Sequence, residues 1–287
     1  MVITELQLKN FRNLNLNFKP ATGFNLIVGE NGAGKSNLLD ALYHLALVKT
    51  FKPYSLKNNI NFNHPSEFAL IKASIANEDQ LKEMKIVFAL DNKNTTDEDG
   101  NPIEPSEQKR LELNAKSTTR SKFIHNLYVI LFAPHNINLL IGTPDLRRAE
   151  LDDFASICDY KYAAYINDYK EVVRNRNRLL KAIFEGKAQE SQLAFWDGKL
   201  IQLGTFLTLE RRRILDKLIP KIAALAQEHF EGELQNIGIN YYSRILKEAG
   251  SNDEQTVKAC YKELLLTNRK KEIYSRQSQY GPHKDDF

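Results

Sequence analysis

The sequence of 287 residues predicts an α/β fold: a head built around a phosphate-binding loop, joined to a separate helical lobe. Three observations carry that expectation. A strand, a glycine loop and a helix follow one another between Phe24 and Ala46. Alternating apolar and polar residues mark further strands through the first half. After about Pro144 these patterns give way to long seven-residue repeats. At roughly 150 residues per domain, the length accommodates two such lobes.

Residues from Val2 to Leu8 and from Leu14 to Phe18 alternate with the period of half-buried strands. Phe24 to Val28 is a short continuous apolar run, the pattern of a buried strand, and it leads directly into Gly29-Glu30-Asn31-Gly32-Ala33-Gly34-Lys35-Ser36. Beyond that loop Leu38, Leu39, Leu42, Leu45 and Ala46 recur at helical spacing. Phe68 to Ala76, Met84 to Leu90, Arg110 to Leu113 and Leu127 to Phe132 read as further strands. Asp91 to Gln108, rich in Asn, Thr, Asp, Glu and Pro, reads as an exposed loop. The lobes divide as 1–143 for the head and 144–275 for the helices, with 276–287 returning to the head.

Within the helical lobe Tyr162, Tyr169 and Ile183 fall at multiples of seven, with Tyr165, Val172 and Leu179 as a second seam. Leu193, Leu200, Leu207 and Ile214 repeat the pattern, with Trp196 and Leu203 between them. Two such seams around a short connection containing Gly186 suggest an antiparallel hairpin, its arms about 40 Å long for about 26 residues. Two core helices of a globular lobe would produce the same pattern.

Gly29-x-x-x-x-Gly34-Lys35-Ser36 is a complete Walker A pattern. Glycines allow backbone amides to turn inward as an anion nest, and the following helix adds its positive N-terminal end. Lys35 reaches the terminal phosphates of a nucleotide. Ser36 offers a hydroxyl to magnesium, which prefers phosphate oxygens, water and few protein ligands.

Hydrophobic residues make up 42% and charged residues 26%, which is ordinary globular usage and excludes a wholly disordered or collagen-like chain. The net charge of +4 is too small to signify nucleic acid by itself, although a clustered patch could bind phosphate. Cys158 and Cys260 lie far apart and match no metal spacing, consistent with a reducing compartment. The N-terminus lacks a secretory pattern and no segment approaches 18 apolar residues, so a cytoplasmic protein away from membranes is expected. None of the six histidines shows metal-ligand spacing.

The flanks of the loop narrow its class. Lys9-Asn10-Phe11-Arg12-Asn13 before it and Asn37-Leu38-Leu39-Asp40-Ala41-Leu42-Tyr43 after it resemble the ATPase heads of the structural-maintenance-of-chromosomes class. Later come Thr50-Phe51-Lys52, Leu131-Phe132-Ala133-Pro134, Leu139-Leu140-Ile141-Gly142-Thr143-Pro144 and Arg147-Arg148 before Leu151-Asp152. Arg176-Asn177-x-Leu179-Leu180-Lys181, Trp196-Asp197 and Gly281-Pro282-His283-Lys284-Asp285-Asp286 complete the set. In this order they resemble the RecF family of bacterial recombination mediators over essentially the whole chain.

That resemblance implies an ABC-type P-loop ATPase head carrying an inserted helical lobe, using ATP and Mg2+, which forms an ATP-dependent homodimer around DNA. It also implies binding of single-stranded and gapped duplex DNA without sequence specificity, and action with RecO and RecR to load RecA during repair and the SOS response. The nucleotide-binding residues carry over onto Gly29, Glu30, Asn31, Gly32, Ala33, Gly34, Lys35 and Ser36, and onto Arg12. Two departures stand out. Pro134-His135-Asn136 lacks the carboxylate usual in the family, and Lys52 replaces an arginine, keeping charge but losing the planar fork.

A hydrolytic site needs a carboxylate at the end of a buried strand and a group that positions water. Ile86 to Leu90 followed by Asp91 fits half of that pattern, but Asn92 stands where a second acid belongs. Asp152-Asp153 and Asp285-Asp286 lack a preceding apolar strand. In the resembling family the Walker B and signature motifs follow the Gly-Pro-His-Lys segment. A C-terminally shortened chain that binds ATP and turns it over little is therefore expected, and no catalytic residue is assigned.

Lys170, Arg174, Arg178 and Lys181 are spaced four, four and three apart, placing them on one helix face that could track DNA phosphates or be merely solvated. Arg147 and Arg148 could pair with Asp152 or Asp153, or meet DNA. Arg211, Arg212 and Arg213 form another basic cluster, while Tyr162, Tyr165 and Tyr169 on the seam read as packing residues. Two other classes share the loop's chemistry: a small-molecule or nucleotide kinase, which needs an arginine-bearing lid, and a non-catalytic DNA-interaction module.

Overall fold

The computed structural model describes residues 1–51, 59–61, 68–77, 80–91, 106–232 and 238–287. Their contacts form two compact units, Met1–Phe132 and Ala133–Phe287. The division falls earlier than the expected 143/144 because Pro134–Ile137 forms a 3-10 turn that continues into helix α3 (Asn138–Ile141), which packs on the next helix of the second unit.

The first unit is an antiparallel sheet with one helix laid on it. Strands β1 (Val2–Phe11), β2 (Leu14–Phe18), β3 (Phe68–Asn77), β4 (Gln80–Asp91), β5 (Ser106–Leu113) and β6 (Lys116–Ser117) are ordered β2-β1-β3-β4-β5-β6. Alternation decides which face is covered: Leu6, Leu8, Ile71, Ala73, Ile75, Met84, Ile86 and Phe88 are buried while their neighbours meet solvent. Pairings such as Ile71 with Ile86 and Ile86 with Leu111 align the apolar rows across three strands. Helix α1 (Lys35–Leu47) buries Ala41, His44 and Leu45, and the His44 ring meets Phe11 and Phe88 edge-on at 5.8 and 5.4 Å. Helix α2 (Arg120–Phe123) adds one turn, in which Arg120 donates to the Leu47 carbonyl at the end of α1.

Three expectations need correction here. Phe24 to Val28 forms no strand, and Phe24, Leu26 and Val28 are exposed. Leu127 to Phe132 likewise forms no strand, with Ile130 98% and Phe132 92% exposed. An apolar run becomes a strand only where another strand completes its hydrogen bonds, and neither run has such a partner among the described residues. The ends of the expected loop are strand instead: Asp91 pairs with Ser106 and Ala89 with Gln108, because the β4–β5 ladder continues past the apolar residues. Residues 92–105 and Lys52 lie outside the described residues.

The second unit is helical: α4 (Pro144–Cys158), α5 (Tyr160–Phe184), α6 (Leu193–His229), α7 (Arg244–Ala249), α8 (Glu254–Thr267) and α9 (Arg269–Ser275). Helices α5 and α6 run antiparallel, since Tyr162 meets Arg211, Tyr165 meets Phe206 and Arg176 meets Asp197. At 1.5 Å per residue they are about 37 and 55 Å long. The seam residues Tyr162, Tyr169, Val172, Leu200, Leu203, Leu207 and Ile214 are buried. Their core also takes in Leu151 of α4 and Val257, Tyr261 and Leu265 of α8, so the hairpin is the spine of a globular lobe.

Residues 276–287 pack within this unit, where a return to the head was expected. Tyr261 donates to the Tyr280 carbonyl (2.8 Å), Arg211 to that of Pro282 (2.6 Å), and Tyr242 and Asp286 exchange backbone hydrogen bonds. No helix among the described residues is long and apolar enough to cross a membrane.

Candidate nucleotide site

The glycine loop ends where α1 begins, and its shape follows from two residues. Gly32 and Gly34 have φ of +86° and +103°, a region that costs an L-residue about 1–2 kcal/mol. At Gly34 a Cβ would also lie 2.5 Å from Leu14 Cδ2 and 3.0 Å from Asn13 Oδ1. Gly29 is less constrained, as a Cβ there makes only an ordinary contact with Ala33.

Lys35 Nζ donates to the carbonyls of Gly29 (2.7 Å) and Glu30 (2.8 Å), holding the ammonium over the loop. The first helical amides have no intrahelical acceptor; Asn37 and Leu38 donate to the Gly34 carbonyl, leaving those of Lys35 and Ser36 without an acceptor among the described residues. Glu30, Asn31, Gly32, Ala33 and Ser36 are exposed. Unclaimed amides at a helix N-terminus, an ammonium and a hydroxyl together make a donor set suited to a polyphosphate and its magnesium ion.

Behind the loop lies a polar network. Asn13 Nδ2 donates to the Gly32 carbonyl (3.0 Å), and its Oδ1 accepts from Asn37 Nδ2 (2.7 Å). Arg12, at φ +53°, donates to Asn37 Oδ1 (3.1 Å) and forms a 2.6 Å ion pair with Asp40. Asp40 also accepts from the Thr50 hydroxyl and the Phe51 amide, and Arg12 reaches Asn59 Oδ1 at 3.4 Å. Arg12, expected among the nucleotide contacts, is thus buried and tied to α1. Burial, with the charges of Lys109 and Arg12, pushes the pKa of His44 down to about 3 and keeps the ring neutral.

Asn37, Asp40 and Thr50 lie in segments quoted above for their resemblance, but no spacing rule identified them as partners of Arg12. Asn59 left no sequence signal. Asp91 ends β4, and no cluster of metal-ligating side chains occurs among the described residues.

The four basic residues of α5 are where helical spacing placed them, all exposed. Lys170 lies 3.4 Å from Asp152 and Lys181 lies 3.9 Å from Glu185, whereas Arg174 and Arg178 have no carboxylate partner among the described residues. Arg148, Lys170 and Arg174 line one hollow of about 660 Å³. Arg147 and Arg148 depart from expectation. Arg147 grips Asp286 with two 2.7 Å hydrogen bonds, and Arg148 donates to the Asp285 carbonyl and pairs with Asp145. Asp152 is taken by Arg211 (2.7 Å) and the Tyr162 hydroxyl (2.5 Å), which is why neither arginine pairs with it. Arg212 and Arg213 pair with Asp216 and Glu210 on their own helix.

Three of the segments that carry the resemblance meet in one buried cluster. Arg176, wholly buried, donates to Asp197 Oδ1 (2.8 Å), Glu272 Oε2 (2.6 Å) and Ser278 Oγ (2.8 Å), and Asn177 Oδ1 accepts from the Ser278 amide. His283 bridges the Tyr169 hydroxyl (2.7 Å) and the Ser278 carbonyl (3.0 Å), and burial lowers its pKa to about 4.

Comparison with known proteins agrees with this geometry at two levels. A model of the RecF/RecN/SMC N terminal domain matches residues 2–134, which defines the class of the first unit as a P-loop ATPase head. The DNA replication and repair protein RecF of Citrifermentans bemidjiense is 30% identical over 289 residues, covering 100% of this chain and 72% of the relative. That of Natranaerobius thermophilus is 30% identical over 295 residues with the same coverage. The chain belongs to the RecF family. Two solved structures of the recombination mediator protein RecF in the RecFOR pathway share the fold, each matching 99% of this chain and 72% of its own. The form with ATPγS gives a TM-score of 0.83 at 25% identity, and the form with ATP gives 0.82 at 24%.

Proposed function

We propose that this chain binds ATP with Mg2+ through Gly29–Ser36, and that the nucleotide controls its binding to DNA in recombinational repair. The observation that carries the proposal is the loop itself: a nest that only glycine permits at residue 34, with Lys35 fixed over it at the start of α1. In it Lys35 neutralises the terminal phosphates, Ser36 supplies an oxygen to magnesium, and Arg12 acts from behind by holding Asn37 and Asp40. Family membership supports the same assignment, since a RecF has been solved with ATP.

The DNA surface we assign to the exposed face of Lys170, Arg174, Arg178 and Lys181, with Arg174 and Arg178 as its principal cations. Backbone contact of this kind suits single strands and gapped duplexes alike and carries no sequence preference. An ATP-dependent homodimer, and action with RecO and RecR upon RecA, follow as proposals from the family.

Binding of gapped DNA in rising salt, with and without ATP, tests the proposal. ATP should tighten binding, Lys35→Ala should remove that effect, and Arg174→Glu with Arg178→Glu should weaken DNA binding while leaving ATP binding intact. Loss of two phosphate contacts should flatten the log–log salt slope by about 1.8. DNA binding indifferent to ATP, or unchanged in the double variant, would overturn it.

A further inference from the structure

Helices α6 and α8 enclose a cleft of about 600 Å³ that neither nucleotide nor DNA explains. Its floor is apolar, formed by Gly198 and Ile201 on α6 and by Ala259, Leu265 and Leu266 on α8. Leu266 is 52% exposed, and a Cβ built at Gly198 would meet nothing within 4 Å. Two lysines, Lys258 and Lys262, stand along the rim one helical turn apart, exposed and without a carboxylate partner among the described residues. Asp197 is the one acid lining the cleft among the described residues, and its charge is already taken by Arg176 (2.8 Å) and Arg269 (2.7 Å).

We propose that this cleft is the docking groove for an acidic amphipathic helix of a partner protein. Charge complementarity selects the occupant. Lysines at i and i+4 present two ammonium groups about 6 Å apart along α8, the spacing at which carboxylates recur on a helix laid beside it. The apolar floor between two helices takes side chains at i, i+3, i+4 and i+7, the pattern of helix-in-groove recognition. Nucleic acid would match the lysines but leave the floor wet, and a purely apolar segment would leave the lysines unused. An acidic amphipathic helix uses both.

The test is fluorescence anisotropy with a labelled synthetic helix about four turns long, leucine on one face and glutamate at i, i+4 beside it, against a counterpart carrying lysine for glutamate. The acidic helix should bind and weaken as salt rises, and the basic one should not bind. Lys258→Glu with Lys262→Glu should weaken binding about tenfold or more. Gly198→Trp, built into open space, should abolish binding while circular dichroism and ATP binding stay unchanged, which keeps the outcome separate from that of the nucleotide site. Equal binding of both helices, acidic-helix binding unaffected by the variants, displacement by an oligonucleotide, or self-association that Gly198→Trp abolishes would each overturn the proposal.

Discussion

Arg12 and Asp40 form a 2.6 Å ion pair, sealed from solvent, between the residue that follows β1 and the middle of α1. It fixes the helix that starts at the phosphate loop to the C-terminal end of β1, and Arg12 extends the tie to Asn37 one residue beyond Ser36. Removing one member of such a pair leaves the other charge buried and uncompensated, a cost of about 3–5 kcal/mol. Arg12→Ala should therefore lower stability by that amount in urea unfolding. Arg12→Lys should recover only part of it, because a single ammonium cannot reach Asp40, Asn37 and Asn59 together.

Gly34 and Gly32 separate strain from collision. Both have positive φ, but only at Gly34 would a side chain strike Leu14 and Asn13. Gly32→Ala should cost about 1 kcal/mol and leave ATP affinity within a few-fold. Gly34→Ala should cost more than about 2 kcal/mol and abolish ATP binding, measured by calorimetry, since the start of α1 must shift to relieve the contact. Similar behaviour of the two variants would refute this account of the loop.

The loop and most of the sheet were legible in the sequence because their signals are local: fixed spacing around Lys35, and period-two alternation in β1 to β4. The Arg12 network was not, because Asp40, Thr50 and Asn59 lie far along the chain from it and no periodicity joins them. Phe24 to Val28 and Leu127 to Phe132 show the converse limit. Their apolar character is plain in the sequence, but pairing depends on a neighbouring strand that the run itself does not encode. On α5 the exposed stripe was legible from spacing, whereas the buried Arg176 on the same helix was recognised only as part of a motif.

That buried arginine supports the third prediction. Each of the three guanidinium nitrogens of Arg176 makes a hydrogen bond, to Asp197, Ser278 and Glu272 in turn, and Arg269 shares Asp197 at 2.7 Å. Arg176→Ala should destabilise the helical unit by about 3–5 kcal/mol, leaving Glu272 buried without its countercharge. A simultaneous Glu272→Gln should return part of that loss, giving a coupling of about 1 kcal/mol or more in a double-mutant cycle. Strict additivity of the two substitutions would show that the pair does not interact.

Acid should weaken both units through their buried histidines. His44 is held near 3 and His283 near 4, against 6.5 for a free imidazole, so between those values the unfolded chain binds protons that the folded chain does not. Their contribution is complete above about pH 6.5 and is lost as pH falls, at up to about 1.4 kcal/mol per pH unit for each ring. Asp285 acts in the opposite sense. Burial raises it to about 6, so the folded state holds its proton more tightly, and that contribution is complete below 3.8 and fades as pH rises through 6. Between pH 6 and 4, two histidines therefore work against one carboxyl, and net stability should fall by about one histidine's share. Urea unfolding at pH 7.5, 6 and 4.5 measures this. His283→Gln, which cannot take up the proton, should make the acid limb shallower, whereas an unchanged or steeper limb would show that His283 is not held neutral by its burial.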